Sequence, residues 1–216
     1  EWFEHPHARE AQMVVEIDDP IYGKMLQPGV NARMSLTRGQ VRGPAPTPDQ
    51  HREQILAELK AKPSAGQSVS AEAPLRSALA GIKVLDLCII LAGPTMGRTL
   101  SEYGADVIKI DNPRRGSAIA RHNDINRGKR SILLDLKSEE GREVFWRMLE
   151  DADVVAQNYR AGALEKLGLG YEAVRKRKPD IIYASLNAYG HLGPWAARPG
   201  HEGFAQSAAG MTRRLG

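Results

Sequence analysis

Residues 81–130 decide the fold, and they read GIKVLDLCIILAGPTMGRTLSEYGADVIKIDNPRRGSAIARHNDINRGKR. Within this stretch, Ile82–Leu87 predicts a buried strand and Gly93 with Pro94 predicts the start of a helix. A second apolar strand, Asp106–Asp111, ends in an acid and is followed by a loop rich in cations. This order of elements predicts an anionic, nucleotide-like ligand at the ends of the strands.

The same alternation of strands and helices continues to the end of the chain. Further strands are predicted at Ser131–Leu136, Asp153–Gln157 and Asp180–Leu186. One helix is predicted to follow Ser138 as its N-cap, and a pair of helices is predicted at Gly162–Leu167 and Tyr171–Lys176. Another helix is predicted to begin near Arg198. The pattern predicts an α/β fold with a doubly wound, Rossmann-like parallel sheet, in which the loops after Leu87, Asp111, Gln157 and Leu186 share one edge.

The first 61 residues have a different organisation. Met13–Ile17 and Lys24–Gln27 predict a small hairpin, and Asp49 is the expected N-cap of a helix whose apolar stripe is Ile55, Leu56 and Leu59. These short elements make a small, irregular α+β segment that buries little by itself. Residues 62–78 are small, polar and aperiodic, which is typical of a flexible linker.

Composition excludes several classes of protein. With 42% hydrophobic residues the chain has enough apolar content for a core, but no run approaches the ~20 apolar residues of a membrane helix. The start lacks the pattern of a signal peptide, so a cytoplasmic location and no membrane contact are expected. The single cysteine, Cys88, lies in an apolar stretch and is expected to be inert. Nucleic acid is disfavoured because only 6% of the residues are aromatic and no zinc-finger spacing occurs.

Cations are concentrated in one part of the chain. Between residues 109 and 130 there are seven Lys or Arg and only two Asp, although the net charge of the whole chain is +4. Such a cluster attracts phosphate groups, but it is equally compatible with an ordinary solvated loop. The seven cations are Lys109, Arg114, Arg115, Arg121, Arg127, Lys129 and Arg130.

Three of the predicted strand-end loops carry candidate binding or catalytic residues. The loop through Ile90, Leu91 and Gly93 lacks both the dinucleotide and the P-loop fingerprints, although a helix start there offers backbone N–H groups to an anion. In the second loop, Asn158, Tyr159 and Arg160, followed by Lys166, are able to bind amide and phosphate groups, or the two cations are ordinary surface residues. In the third, His201 and Glu202 form either a proton-transfer pair or a helix cap, and without a third ligand they do not make a metal site.

Together, these stretches resemble the class III CoA-transferase family, which includes formyl-CoA transferase, carnitine CoA-transferase and α-methylacyl-CoA racemase relatives. Over residues 79–216 the matching segments occur in the family's order and approximate spacing: 79–87, 92–94, 103–110, 126–131, 153–155, 158–168 and 190–200. Residues 1–61 resemble instead the C-terminal tail of the same family, through segments 1–6, 14–17, 27–29 and 44–46 and the helix around Ile55–Leu59.

This resemblance implies the junction of a tandem fusion. Residues 1–61 are expected to be the C-terminal tail of a first unit, residues 62–78 the linker, and residues 79–216 the N-terminal, CoA-binding part of a second and incomplete unit. The full-length protein is expected to form an interlocked homodimer or an intramolecular pseudo-dimer.

The resemblance also implies an activity. It predicts a transferase that moves CoA between an acyl-CoA and a small carboxylic acid through an aspartyl-CoA thioester, with the nucleophilic Asp beyond Gly216 and no metal. Coenzyme A, as part of the acyl-CoA substrate, is expected to contact Ile90, Leu91, Arg114, Lys129, Asn158, Tyr159, Arg160 and Lys166. Among these, Lys129 and Lys166 are implied to face the nucleotide end.

Two departures from the family pattern affect the expected chemistry. Leu91 stands where the formyl-CoA enzyme has a polar amide, which argues against oxalate-like chemistry, and Asn112 replaces a cationic contact that Arg114 or Arg115 is able to supply. His201 followed by Glu202 is similar to the His-acid pair of the racemases, so both are candidate catalytic residues. The alternatives are therefore an acyl-CoA racemase or CoA-linked lyase that uses His201, or a non-catalytic copy that binds CoA or is structural.

Overall fold

The structure is a computed structural model that describes residues 14–30, 39–60, 77–114, 123–187, 198–208 and 212. Its first element is a hairpin of two antiparallel strands, β1 (Val14–Asp19) and β2 (Gly23–Pro28). The Asp19 carboxylate accepts hydrogen bonds from the backbone N–H groups of Ile21 and Tyr22 at 2.9 and 3.0 Å, which holds the chain reversal. The predicted hairpin is confirmed.

The second sheet has five strands, all parallel. They are β3 (Lys83–Asp86), β4 (Asp106–Asp111), β5 (Arg130–Leu133), β6 (Val154–Gln157) and β7 (Ile182–Ser185). Their order across the sheet is β5-β4-β3-β6-β7. The chain thus builds outward from β3 on one side and then returns to add β6 on the other, which confirms the predicted α/β fold with a parallel sheet.

Six helices are described around these strands. They are α1 (Arg52–Lys60), α2 (Ala92–Glu102), α3 (Asn123–Asn126), α4 (Glu139–Glu150), α5 (Tyr171–Arg177) and α6 (Glu202–Ala208), with a 3-10 turn at Glu165–Leu167. Ser138 caps α4 as predicted, since its side chain accepts from the Gly141 N–H at 3.0 Å. None of the helices in the described ranges has the length and apolar character needed to span a bilayer.

The sheet is covered by apolar groups on both faces because successive strand residues point in opposite directions. Leu85 and Ile108 point into the larger cluster, which includes Phe145 of α4 and Ile55 of α1. Val84 and Val107 point to the other face, where Leu100 of α2 packs against them. Ile55 is only 1% exposed, so the helix of the N-terminal segment contributes directly to the main core.

Three predicted elements differ from those observed. Asp49 does not cap α1, which begins at Arg52; it has a φ of 67°, and its carboxylate accepts from the Leu133 N–H instead. The helix predicted at Gly162–Leu167 is only a 3-10 turn, because glycines with left-handed φ angles (Gly162, 79°, and Gly168, 72°) bracket too few residues for an α-helix. The strand predicted to reach Leu136 ends at Leu133.

Candidate functional site

The candidate site lies where the carboxyl ends of β3 and β6 are adjacent. The strand order reverses direction between these two strands, and a crevice forms at such a switch point because the loops that follow them run to opposite faces of the sheet. The two loops are residues 87–91 after β3 and residues 158–164 after β6. Both carry residues that the sequence predicted as CoA contacts.

Asn158 ties the two loops together. Its Oδ1 accepts from the Ile89 N–H at 2.7 Å, and its Nδ2 donates to the Ile89 carbonyl, also at 2.7 Å. An amide side chain offers a donor and an acceptor side by side without carrying a charge. Asn158 therefore fixes the position of the β3 loop relative to the β6 loop.

Ile90 is held in an unusual conformation next to this clamp. Its φ is 70°, in the left-handed region that a β-branched side chain rarely adopts, and its side chain is 64% exposed. Leu91 beside it is 48% exposed. The loop thus presents two apolar side chains to solvent at the edge of the crevice, and the strained backbone marks it as a candidate functional loop.

Helix α2 begins at the same edge. Leu91 occupies its N-cap position and provides no side-chain hydrogen bond, so the N–H groups of its first turn have no side-chain cap. The helix approaches the β3 loop closely at Gly93, because a Cβ at this position would clash with the Cys88 side chain and contact Asn158. The glycine is required by this packing.

A buried ion pair lies directly beneath the first turn of α2. The Lys129 Nζ donates to Asp86 Oδ2 at 2.7 Å, to the Pro94 carbonyl at 2.8 Å and to Asn126 Oδ1 at 3.2 Å, and both charged side chains are fully buried. Burial alone would raise the pKa of Asp86, but the ammonium groups of Lys129 and Lys109 outweigh it and hold this pKa below its usual range. The pair joins the end of β3 to the start of α2.

A second buried lysine stands beside the first. Lys109 Nζ donates to the Cys88 carbonyl at 2.6 Å and to Asp111 Oδ1 at 2.8 Å. The other carboxylate oxygen of Asp111 is buried and has no hydrogen-bond partner among the described residues. Lys109 thereby anchors the β3 loop to the end of β4.

The cationic cluster is therefore organised differently from either expectation. Lys109, Arg127 and Lys129 are internal and paired with carboxylates, so they form neither a solvated loop nor an exposed phosphate site. The expectation that Lys129 faces the nucleotide is corrected, because the three hydrogens of its ammonium group are donated within the protein. Arg115 and Arg121 lie outside the described residues.

The other predicted contacts are at or near the crevice. Arg160 and Lys166 are exposed after β6, and Tyr159 is half-buried with its N–H donated to Gln157 Oε1 at 2.7 Å. Arg114 is exposed after β4, where its guanidinium lies 3.3 Å from the Asp135 carboxylate. These positions surround the carboxyl ends of the strands, and their role in binding remains a prediction.

His201 and Glu202 lie at the start of α6 and are exposed. The His201 ring packs on Phe204 with the ring centroids 4.2 Å apart, and Glu202 Oε1 accepts from Gln206 at 2.8 Å. Both contacts lie within this segment, and a catalytic role for the pair remains a prediction. No group of three His, Cys, Asp or Glu side chains suited to a metal ion occurs in the described ranges.

Sequence reasoning missed the buried charges that support the crevice. Asp86 interrupts the apolar run of β3, and Lys109 interrupts that of β4. A charged residue inside an otherwise apolar strand is a usable signal, because such a residue needs a buried partner of opposite charge. The partners themselves are distant in sequence and could not be assigned from it.

Comparison with known proteins finds a matching family and several relatives. The profile of CoA-transferase family III matches residues 1–52 and 79–216. An acyl-CoA transferase of Fusarium pseudograminearum is 35% identical over 215 residues, covering 89% of this chain and 46% of the relative. A succinate–glutarate CoA-transferase of Agrobacterium fabrum is 38% identical over 151 residues, covering 62% of this chain and 38% of the relative.

Solved structures are similar to this chain as well. Rv3272 of Mycobacterium tuberculosis is similar with a TM-score of 0.60 and 41% identity, over 63% of this chain and 39% of that one. A CAIB/BAIF family protein of Brucella suis has a TM-score of 0.55 and 38% identity, over 62% of this chain and 39% of that one. The chain spans less than half the length of these relatives.

Proposed function

This chain belongs to CoA-transferase family III, and we propose that it binds the CoA part of an acyl-CoA at the crevice between β3 and β6. The observation that carries the proposal is the clamp of Asn158 on both backbone groups of Ile89. It holds the strained β3 loop beside the β6 loop at the point where parallel α/β sheets bind their ligands. The pantetheine would then run along Asn158 and Tyr159.

The proposed ligand matches the groups at this edge. Ile90 and Leu91 offer exposed apolar surface next to the thioester, and the uncapped start of α2 offers backbone N–H groups to an anion. Arg160 and Lys166 after β6, with Arg114 after β4, are exposed cations that would pair with the phosphates of the nucleotide end. Lys129 is not assigned a contact with CoA, since its role is internal.

For the whole protein, the proposed reaction is CoA transfer between an acyl-CoA and a small carboxylic acid. Relatives of this chain are named as CoA-transferases for such acids, among them succinate and glutarate. We propose that the nucleophile is an aspartate beyond Gly216 that forms a thioester with CoA. A covalent thioester conserves the acyl bond energy that hydrolysis would dissipate, which suits a carboxylate nucleophile.

Titration of the chain with CoA by calorimetry tests the binding site. Lys166→Met is expected to weaken CoA binding about three- to tenfold, as removal of an exposed charge pair does, and the loss should shrink at high salt. Lys176→Met, which removes another exposed lysine, on α5, is the matched control and is expected to leave binding unchanged. Equal effects of the two variants, or no CoA binding by the unmodified chain, would contradict the proposed site.

Trapping of the intermediate tests the reaction. The protein expressed from the complete reading frame should lose activity in the presence of hydroxylamine and an acyl-CoA, because hydroxylamine attacks enzyme-bound thioesters and anhydrides. The modified residue should be an aspartate after Gly216. Full activity with hydroxylamine during turnover would rule out the covalent route.

A further inference from the structure

Strand β5 is the last strand on one side of the five-stranded sheet, and the N-terminal segment covers its outer edge. Strand β5 pairs with β4 along Arg130–Leu133, and the Leu134 N–H donates to the Asp111 carbonyl of β4. Because successive residues of a parallel strand bond to opposite sides, the backbone groups of Ser131 and Leu133 point away from the sheet. Unpaired edge groups of this kind attract other strands and cause aggregation unless they are covered. Here each of the four outward groups has a partner from residues 49–52.

The partners of this edge are both backbone and side chains. The His51 N–H donates to the Ser131 carbonyl at 3.2 Å, and His51 Nδ1 accepts from the Ser131 N–H at 3.2 Å. Asp49 Oδ1 accepts from the Leu133 N–H at 2.9 Å, and Arg52 Nη1 donates to the Leu133 carbonyl at 3.1 Å. Asp49, His51 and the first residue of α1, Arg52, thus bond to the edge groups that two residues of a neighbouring strand would otherwise bind.

Helix α1 continues the contact beyond the turn. Ile55 is buried in the main core, and Glu58 Oε2 accepts from Arg130 Nη1 at 2.6 Å. At the end of the helix, Arg147 of α4 donates to the Leu59 carbonyl at 2.9 Å. The helix is thus bonded both to the edge strand and to the helix that covers the same face of the sheet.

The residues before the turn bind the other side of the sheet. The Gln40 N–H donates to the Glu102 carbonyl at the end of α2 at 2.8 Å, and Arg42 donates to the Ala105 carbonyl at 3.3 Å. From the hairpin, Gln27 accepts from Arg127, a fully buried arginine that also donates to the Glu102 carboxylate at 2.6 Å. The N-terminal segment therefore contacts the α/β domain on both faces of the five-stranded sheet and along the outer edge of β5.

We propose that residues 14–60 are an arm that docks on the α/β domain that follows them. The arm and the domain then fold as one unit, although residues 61–76 separate them in the sequence. The arm resembles the tail of a family unit, whereas the domain resembles the head of one. In the longer protein, the tail of one unit would accordingly close the sheet edge of the next unit in the same chain. The matched Fusarium relative supports this order, because 89% coverage must include residues on both sides of the connecting segment.

Amide hydrogen exchange tests the docking at a single bond. In the intact chain, the outward Leu133 amide should be protected to a degree similar to that of Ile132, which faces β4. Asp49→Gly removes the acceptor and suits the left-handed backbone of residue 49, so it should speed exchange at Leu133 about tenfold or more while exchange at Ile132 changes little. Asp49→Asn keeps an acceptor oxygen and should restore protection.

Cleavage of the connection tests whether the arm is bound in the same chain. A protease site is placed within residues 61–76 of the 216-residue chain, and the folded chain is cut. The two pieces should elute together at the size of one intact chain and separate only in denaturant. Separation of the pieces without denaturant, a dimer with exchanged arms, or rapid exchange of the Leu133 amide in the uncut chain would each overturn the proposal.

Discussion

Lys129 shows how a single side chain joins three elements of the fold. It lies one residue before β5, and its ammonium group binds the end of β3 and the first turn of α2. Burying two charges costs several kcal/mol per ion, and the cost is recovered only when the geometry and the remaining hydrogen bonds are good. Here all three donors of the lysine are used, so its removal leaves the carboxylate of Asp86 buried and unpaired.

We expect Lys129→Met to lower the free energy of unfolding by about 3–5 kcal/mol, because a buried carboxylate without its partner is strongly destabilising. The double variant Asp86→Asn with Lys129→Met should be less destabilised, since the amide keeps an acceptor for the Cys88 N–H and carries no charge. Urea titrations of the variants measure both values. A double variant less stable than Lys129→Met would contradict the assigned role of the pair.

Gly97 provides the space for this ion pair, because its lack of a side chain lets the pair approach α2. A Cβ at this position would meet Asp86 Oδ2 at 2.5 Å and Lys129 Nζ at 3.1 Å. Gly97→Ala should therefore cost about 1–3 kcal/mol of stability, although alanine favours helices. The control is Gly203→Ala on α6, where the added Cβ finds only ordinary contacts, and thermal unfolding compares the two variants.

At the scale of the elements, the strands and most helices could be predicted because their apolar periodicity is strong. Asp106–Asp111 was predicted with the observed boundaries, and Ser138 caps α4 as expected. The role of Asp49 could not be predicted, because its partner Leu133 is 84 residues away in the sequence and only the folded chain brings them together. Local capping rules assign such a residue to the nearest helix.

The candidate site also has features that the sequence predicts and features that it does not. Its location at the carboxyl ends of the strands follows from the alternation of strands and helices. The burial of Lys129 and Arg127 does not, because a run of cations reads the same in sequence whether the side chains point outward or into the protein. Their partners, Asp86 at the end of β3 and Glu102 at the end of α2, are distant in sequence and come near only in the folded chain.

The edge formed by α1 and β5 should respond to pH through His51. Burial and the nearby Arg130 lower the pKa of His51 below 6.5, with Glu58 opposing, and its Nδ1 must stay unprotonated to accept from Ser131. Below pH 6.5 the unfolded chain therefore binds more protons, and the free energy of unfolding should fall as the pH decreases until the folded-state pKa is reached. The slope from this group is at most about 1.4 kcal/mol per pH unit.

His51→Asn isolates this contribution, because an amide oxygen replaces the ring acceptor and does not titrate. The variant should have a flatter dependence of stability on pH just below 6.5 than the unmodified chain. His201→Asn removes an exposed histidine of α6 that lies outside this edge and is the matched comparison. An unchanged slope in His51→Asn, measured by urea titration at several pH values, would exclude His51 as its source.

For the molecule as a whole, the arm and the domain behave as one unit whose two parts are joined in the sequence through residues 61–76. Loop entropy rises only with the logarithm of length, so doubling this segment with Gly and Ser should lower the free energy of unfolding by only about 0.6 kcal/mol. A single cooperative transition should persist in both the native and the lengthened chain. Two separate transitions after lengthening would indicate that the arm and the domain unfold independently.

Cys88 gives the chain a reporter of its own opening. Its side chain is fully buried at the end of β3, and burial, together with the nearby Asp86, raises the pKa of its thiol above the ordinary range. An alkylating reagent should therefore reach this sulfur only in molecules whose β3 loop has come away from α2. Because the sequence holds no other cysteine, the rate at which the chain is alkylated reports how often Cys88 becomes exposed, without any engineered label.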